Sequence, residues 1–362
     1  MLRLVEKTAW PILTKFPKFT IELYSHFRPK YITSLVNTIP LENYGPSPHL
    51  QRTLWGLSFA SPLMNAAGMF KNGEGYLLCK NQGAGAYLAG TTTYHKQKGN
   101  RKEGILMPFV PYRLSHAGSN WLGLPNASHA VVASQLESID KDYSFPVGAS
   151  ISLADTPQEV ISGMHAYEQA HVDYLELNES CPNVISQGNL ESKLKVINKE
   201  FLQGRTCRLP VIVKLSLDTL PEHIPRLVAM LISYGMDGLN LGNTSTRYSA
   251  LRERINPKER NLYDYFTTTF GGGISGLPLK EDSLLLSRLA VESARKHASS
   301  EFHVFRTGGI SSSDDIIASE EAGISMNQWY TGYFEHFAQE GHRVYANIYA
   351  RLNPASKCIR RE

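Results

Sequence analysis

Cysteine is scarce in this chain: there are four in 362 residues, Cys79, Cys181, Cys207 and Cys358, with no CxxC pair and no metal-like spacing. That scatter excludes a disulfide framework, a zinc site and iron–sulfur ligation, and suits a reducing compartment. Long apolar runs are missing as well. No stretch approaches the roughly 20 residues that span a bilayer, and Glu6, Lys7 and Pro11 interrupt the opening MLRLVEKTAWPIL, which therefore lacks the apolar core of a secretion signal. The expectation is a protein of the cytoplasm, free or lying peripherally on the cytoplasmic side of a membrane. Charge of one sign is slight, with a formal net charge of +4 and a pI near 8.7. This accommodates an anionic substrate or an acidic lipid surface and gives no indication of nucleic acid.

What is present is a large core in the making: 42% of the residues are hydrophobic, 19% are charged and 28 are glycine. Residues 1–48 read as a separate N-terminal helical extension. Pro11, Pro17, Pro29 and Pro40 divide it into short helices, one of which, Lys18 to Phe27, places Phe19, Leu23, Tyr24 and Phe27 on one face. Its basic residues outnumber its acidic ones, so it reads equally as a cap on the domain that follows and as a surface for a membrane and an apolar cosubstrate. YGPSPH, Tyr44 to His49, is the linker.

Eight short β-like runs follow within residues 49–362, each with room for a crossover helix: Pro62 to Gly68, Ala86 to Thr92, Val147 to Ser152, Tyr174 to Ser180, Val211 to Ser216, Gly238 to Asn243, His303 to Gly309 and Ser325 to Gly332. An α/β fold closed as a (β/α)8 TIM barrel is expected, with the polar strand ends converging on one rim. A doubly wound open sheet is the competing architecture, but no GxGxxG follows the first run. Two longer connections, Lys96 to Pro146 and Thr244 to Gly273, are placed to cover ligands. Their basic residues read as solvated charges.

The stretch YLELNESCPN, Tyr174 to Asn183, ends an apolar alternation in a cluster of amide, hydroxyl and thiol. Cys181 sits before Pro182, which stiffens its turn, while Asn178 and Asn183 offer donors and acceptors to a planar ligand. A buried apolar filler is the plain alternative for a lone cysteine. Lys214, inside the apolar run VIVKLS, and Lys71, just after the first run, each need an anionic or electron-rich partner. For Lys214 the options are an internal ion pair with Glu176 and a Schiff-base lysine of an aldolase-type barrel. The Gly pairs ending FRTGG and QWYTG are placed at the seventh and eighth strands, where barrels build phosphate sites.

Ten motifs in order, NAAGMFKNGE, AGTTT, GNRKE, NWLGLPN, NESCPN, VIVKLS, GNTS, GGISGLPL, FRTGGISS and QWYTG, resemble the dihydroorotate dehydrogenase family from about Leu54 to the end of the chain. The resemblance implies an FMN enzyme that oxidises dihydroorotate to orotate in pyrimidine synthesis. It implies Cys181 as the base; Lys71, Asn120, Gly123, Leu124, Asn178, Asn183, Asn243 and Thr244 around the substrate; and Ala67, Gly68, Thr91, Asn178 and Lys214 along the flavin. Ser275, Gly276, Gly308, Gly309, Tyr330, Thr331 and Gly332 fall on the positions that hold the ribityl phosphate. The family's quinone-linked, membrane-associated class carries an N-terminal extension and a serine base, and its soluble class has a cysteine and no extension. This chain combines the extension with Cys181, and Ser150 and Gly242 stand where the membrane class usually has asparagine and threonine. A quinone acceptor is expected. The rival readings are a soluble-class enzyme using fumarate, and a flavin-binding homologue that acts on another cyclic amide or is silent.

Overall fold

The computed structural model describes residues 2–40, 42–179, 189–205 and 208–352. Cys181 and Asn183 therefore lie outside the described residues. Eight parallel strands, β1 (Leu63–Asn65), β2 (Tyr87–Thr92), β3 (Val147–Ser152), β4 (Tyr174–Asn178), β5 (Val211–Leu215), β6 (Gly238–Leu241), β7 (His303–Thr307) and β8 (Met326–Trp329), each fall inside one of the eight runs. They are laddered in the order β1-β8-β7-β6-β5-β4-β3-β2. A side chain supplies much of the closing seam between β1 and β2. Asn65 Oδ1 accepts the Leu88 N–H at 3.0 Å and its Nδ2 donates to the Leu88 carbonyl at 2.8 Å, which imitates a ladder pair; above it the Gly68 N–H reaches the Gly90 carbonyl at 2.6 Å. The chain is thus a (β/α)8 TIM barrel preceded by helices.

Strand alternation sorts the barrel into layers. On β4, Leu175 and Leu177 point out into the core beneath the helices, whereas Tyr174, Glu176 and Asn178 point in. Tyr174 belongs to an apolar floor with Met64, Ile212, Phe305 and Met326, sealed from below by Trp55 and Phe59 of the hairpin Arg52–Leu54/Leu57–Phe59. The next layer up is polar: Ser150, Glu176, Lys214, Asn240 and Gln328 are all buried. Function is built on that layer.

The two long connections meet above the rim. Phe109–Tyr112 and Ala117–Asn120 form a hairpin, and Gly273–Gly276 adds to it as a third antiparallel strand. The GISG of the motif GGISGLPL, Gly273–Gly276, is therefore a lid strand. Of the basic residues in these connections, Arg247 and Arg254 pair with Asp282, and Arg252 pairs with Asp264.

The extension departs from its expected form. It consists of α1 (Leu2–Leu13) and α2 (Pro17–Val36), and neither Pro11 nor Pro29 ends its helix. Proline at position 29 removes a single backbone donor, and α2 is fixed one turn before it: Ser25 Oγ donates to the Phe109 carbonyl and accepts the Phe109 N–H, while within the helix the Thr33 hydroxyl donates to the Pro29 carbonyl. The docked face also differs. Thr20, Ile21, Ser25 and Leu35 are buried, whereas Phe19 and Phe27 are more than half exposed.

Candidate active site

The rim surrounds an open cavity. Its lining gathers most of the residues singled out from the sequence, delivered by seven strand ends and the loops above the rim. β1 leads to Ala67, Gly68 and Lys71, β2 carries Thr91, β4 Asn178 and β5 Lys214; Asn243 and Thr244 follow β6. The lid contributes Asn120, Leu124, Ser275 and Gly276, and the ends of β7 and β8 contribute Gly308, Gly309, Tyr330, Thr331 and Gly332. Gly123 lies between two lining leucines without lining the cavity itself. It turns the chain there with φ of +73°, and a Cβ would meet Asn100 Oδ1 at 2.3 Å.

Local chemistry explains how Lys71 is held at the rim. The carboxylate of Glu74 caps the turn after β1 by accepting the N–H groups of Lys71 and Asn72 at 3.2 and 2.7 Å. Asn72 Oδ1 in turn accepts the Ala127 N–H at 3.0 Å, which ties this turn to the NWLGLPN loop. After β6, Gly242 has φ of +136°, and a Cβ there would collide with the Thr307 carbonyl at 1.5 Å. No other residue fits, so the threonine usual in the membrane class is sterically excluded here.

Beneath the cavity, Lys214 Nζ donates to Gln328 Oε1 at 3.0 Å and lies 3.6 Å from Glu176 Oε1. Burial pushes the Lys214 pKa down, and the Glu176 carboxylate opposes that fall. The ion pair with Glu176, one of the two options left by the sequence, is present.

The residues fit a flavin mononucleotide. The Thr244 hydroxyl is buried with no protein partner and lines the cavity. Added Cβ atoms would strike Lys280 at Gly309 and the Ile310 carbonyl at Gly332, so only glycine fits at these two positions, where the backbone itself lines one end of the cavity, as a phosphate site requires. An ammonium, Lys214, waits at the floor.

A second, more apolar cavity opens between α2, the lid hairpin and helix α3 (Thr331–Glu340). Tyr24, Phe27, Tyr31, Ile32, Phe109 and Phe334 line it, with Arg28, Arg113 and Gln339 as polar exceptions. The Arg28 guanidinium bonds the Tyr330 hydroxyl and lies 5.6 Å from the centre of the Phe109 ring. His116, Ser275, Tyr330, Thr331 and Glu335 line both cavities, so the two share a wall. In that wall His116 Nδ1 is 3.2 Å from Glu335, whose carboxyl is pushed up by burial. Sequence reasoning missed Arg28, Arg113, His116 and Glu335; only their proximity in space marks them.

The family model for dihydroorotate dehydrogenase matches residues 49–353. Among curated relatives, the dihydroorotate dehydrogenase (quinone) of Cyanothece sp. is 29% identical over 299 residues, 80% of this chain and 76% of that protein. The protein of the same name from Kineococcus radiotolerans is 30% identical over 305 residues, 80% of this chain and 78% of its own. Among solved structures, the ligand-free DHODH of Eimeria tenella superposes with a TM-score of 0.72 at 24% identity, covering 89% of this chain and 92% of that one. Its complex with ferulenol gives 0.71 at 22% identity, covering 93% and 90%. At that identity the superpositions establish the fold.

Proposed function

The chain belongs to the dihydroorotate dehydrogenase family, and on that premise we propose that it oxidises dihydroorotate to orotate with FMN and passes the electrons to a quinone. The observation that carries the reading is the shared wall. A cavity that carries lysine, amide and hydroxyl side chains, with Lys214 at its floor, adjoins a more apolar cavity open toward the extension, so two substrates of different polarity reach one cofactor from two sides.

FMN, when bound, supplies the two-electron acceptor for the substrate's hydride. The chain's own residues do the rest. Lys71 meets the substrate carboxylate, and Asn120, Asn178 and Asn243 read a ring of alternating N–H and C=O groups. Thr244 gives its unsatisfied hydroxyl to the same ligand. Cys181, outside the described residues, follows Asn178 by three positions and is assigned the base that removes the ring proton as a thiolate. Asn183 stays with the substrate set on the strength of its motif alone. The glycines after β7 and β8 present N–H groups to the phosphate, and Lys214 stabilises negative charge on the flavin side. Arg28, Arg113 and Tyr330 are placed to meet the polar head of a quinone whose tail lies along Tyr24, Phe27 and Ile32.

Exposed Ile12, Phe16, Phe19 and Phe27 on the extension, among Lys15, Lys18 and Lys30, support a peripheral position on an acidic membrane. None of the described helices is long and apolar enough to cross one. The test is anaerobic. Dihydroorotate should bleach the flavin absorbance, and a short-chain quinone should restore it faster than fumarate; no bleaching defeats the substrate assignment, and faster recovery with fumarate defeats the acceptor.

A further inference from the structure

Glu176 is fully buried on β4, two residues below Asn178, behind Lys214 and outside the cavity wall. Its Oε2 accepts Asn240 Nδ2 at 2.8 Å and Gln328 Nε2 at 2.9 Å, while its Oε1 accepts the Ser150 hydroxyl at 3.2 Å and faces Lys214. An ionised carboxylate only accepts. Each neighbour must therefore turn its donor inward and its acceptor away. Gln328, having given its N–H to Glu176, turns Oε1 toward Lys214. Ser150, having given its one proton, must accept from Thr91 at 2.9 Å, and Thr91 then accepts from Asn178 Nδ2 at 2.9 Å. That leaves Asn178 Oδ1 to accept from Asn243 at 3.3 Å. The direction of both chains is set at one atom pair, the Glu176 oxygens.

Stability does not account for an acid here. Taking an ion pair out of water costs about as much as the pair returns, and apolar replacements of similar volume are often as stable. Among the described residues, the other titratable groups of the cavity wall are Lys71, His116, Tyr330 and Glu335, and Tyr174 lies one layer below, bonded to the Met64 sulfur. The acid among them, Glu335, pairs with His116, whereas Glu176 is the carboxylate that faces Lys214, at 3.6 Å.

We propose that Glu176 is a positioning residue for the cavity above it: its charge keeps Lys214 an ammonium before any anion is bound, and its acceptor-only chemistry fixes which atoms Gln328, Thr91 and Asn178 present to the ligand. The inference deepens the flavin reading of the cavity, on which its consequence for FMN rests; its first readout needs no flavin.

That readout is the titration of Lys214 in the full chain without flavin, followed by NMR of ¹³C-labelled lysine side chains and assigned with Lys214→Met. In Glu176→Gln the proton affinity of Lys214 should fall at least about tenfold, one pH unit, and FMN affinity should weaken, with Glu176→Asp between the two. A Lys214 titration within about twofold of the unaltered protein overturns the proposal. Failure of every form to bind FMN would instead sink the flavin reading and leave the titration to decide this one. Should Glu176→Gln not fold, the double variant Glu176→Gln/Lys214→Met decides. Folding of the double variant identifies the unbalanced ammonium as the fault and supports the proposal; failure of both makes Glu176 a packing residue and overturns it.

Discussion

A thiol acts as a base only in its thiolate form, and general-base catalysis is typically worth about 10² to 10⁴-fold. Cys181→Ala should therefore retain FMN and slow flavin reduction by dihydroorotate by that factor in stopped-flow measurements. Cys181→Ser should keep part of the rate with a more alkaline profile, because an alcohol ionises less readily. A parental rate in the alanine variant would remove Cys181 from the mechanism. Lys214 differs in that its loss has two consequences. Lys214→Ala strips the cation from the flavin side, so FMN should bind more weakly or become harder to reduce. It also leaves Glu176 buried without a counter-charge, which should cost about 3 to 5 kcal/mol of stability, read from urea unfolding of the flavin-free protein. Unchanged stability would mean that Glu176 is satisfied without Lys214. Borohydride trapping should yield no adduct on Lys214, since the ammonium is engaged by Gln328 and Glu176 and is not a free amine.

At the scale of elements, the extension is fastened to the site-bearing loops at one buried carboxylate. Glu259, after β6, accepts the Trp10 indole N–H at 2.8 Å and the Leu114 N–H at 2.9 Å, and takes the Ser115 hydroxyl on its other oxygen. One acid thus joins α1, the lid hairpin and the connection after β6. Trp10→Phe keeps most of the apolar packing and removes only the donor, so it should destabilise by about 1.5 to 3 kcal/mol, the range for hydrogen bonds to charged groups. Glu259→Ala should cost more, because three donors are stranded; equal losses in denaturant unfolding would show that the indole bond alone matters. The strands were legible in the sequence because alternation and polar strand ends are local signals, and all eight appear where they were expected. Of the polar layer, only the Lys214–Glu176 pair was legible, as one of two options for a lysine inside VIVKLS. Ser150, Asn240 and Gln328 come from three strands and join that pair only when the barrel closes. The helices of the extension misled for a related reason. α2 has two apolar faces, one packed on the lid and one exposed, and hydrophobic spacing does not distinguish a face buried by protein from one left for another apolar phase. Pro29 marked a break that the tertiary contact of Ser25 with Phe109, one turn earlier, overrides.

The molecule as a whole combines a barrel rich in buried phenols with an extension that carries apolar residues on both its packed and its exposed side. Burial raises Tyr87, Tyr112, Tyr174, Tyr333 and Tyr345 well above the usual tyrosine value of 10.0. Their folded pKa values exceed the unfolded ones, so the stability they confer is complete below about pH 10 and is lost as pH rises beyond it. The urea midpoint should hold between pH 8 and 9 and drop steeply above 10, and a flat alkaline limb would contradict these shifts. The extension bears on the electron acceptor. Its inner face, through Ser25 and Trp10, is bound to the lid and to Glu259, while Phe16, Phe19 and Phe27 are exposed and Phe27 also lines the apolar cavity. A chain beginning near Leu54 would lose α1 and α2, and with them Arg28 and one wall of that cavity, but none of the residues lining the polar one. Flavin reduction by dihydroorotate should therefore survive truncation, whereas reoxidation by a short-chain quinone and sedimentation with anionic vesicles should both fail. Quinone reoxidation at the full-length rate in the truncated protein would place the acceptor at the polar cavity and leave the extension as a membrane contact or a cap. Loss of dihydroorotate reduction as well would mean that the lid cannot hold Asn120 and Ser275 over the rim without α2, a structural dependence that Ser25→Ala, which removes only the bonds to Phe109, should reproduce in part.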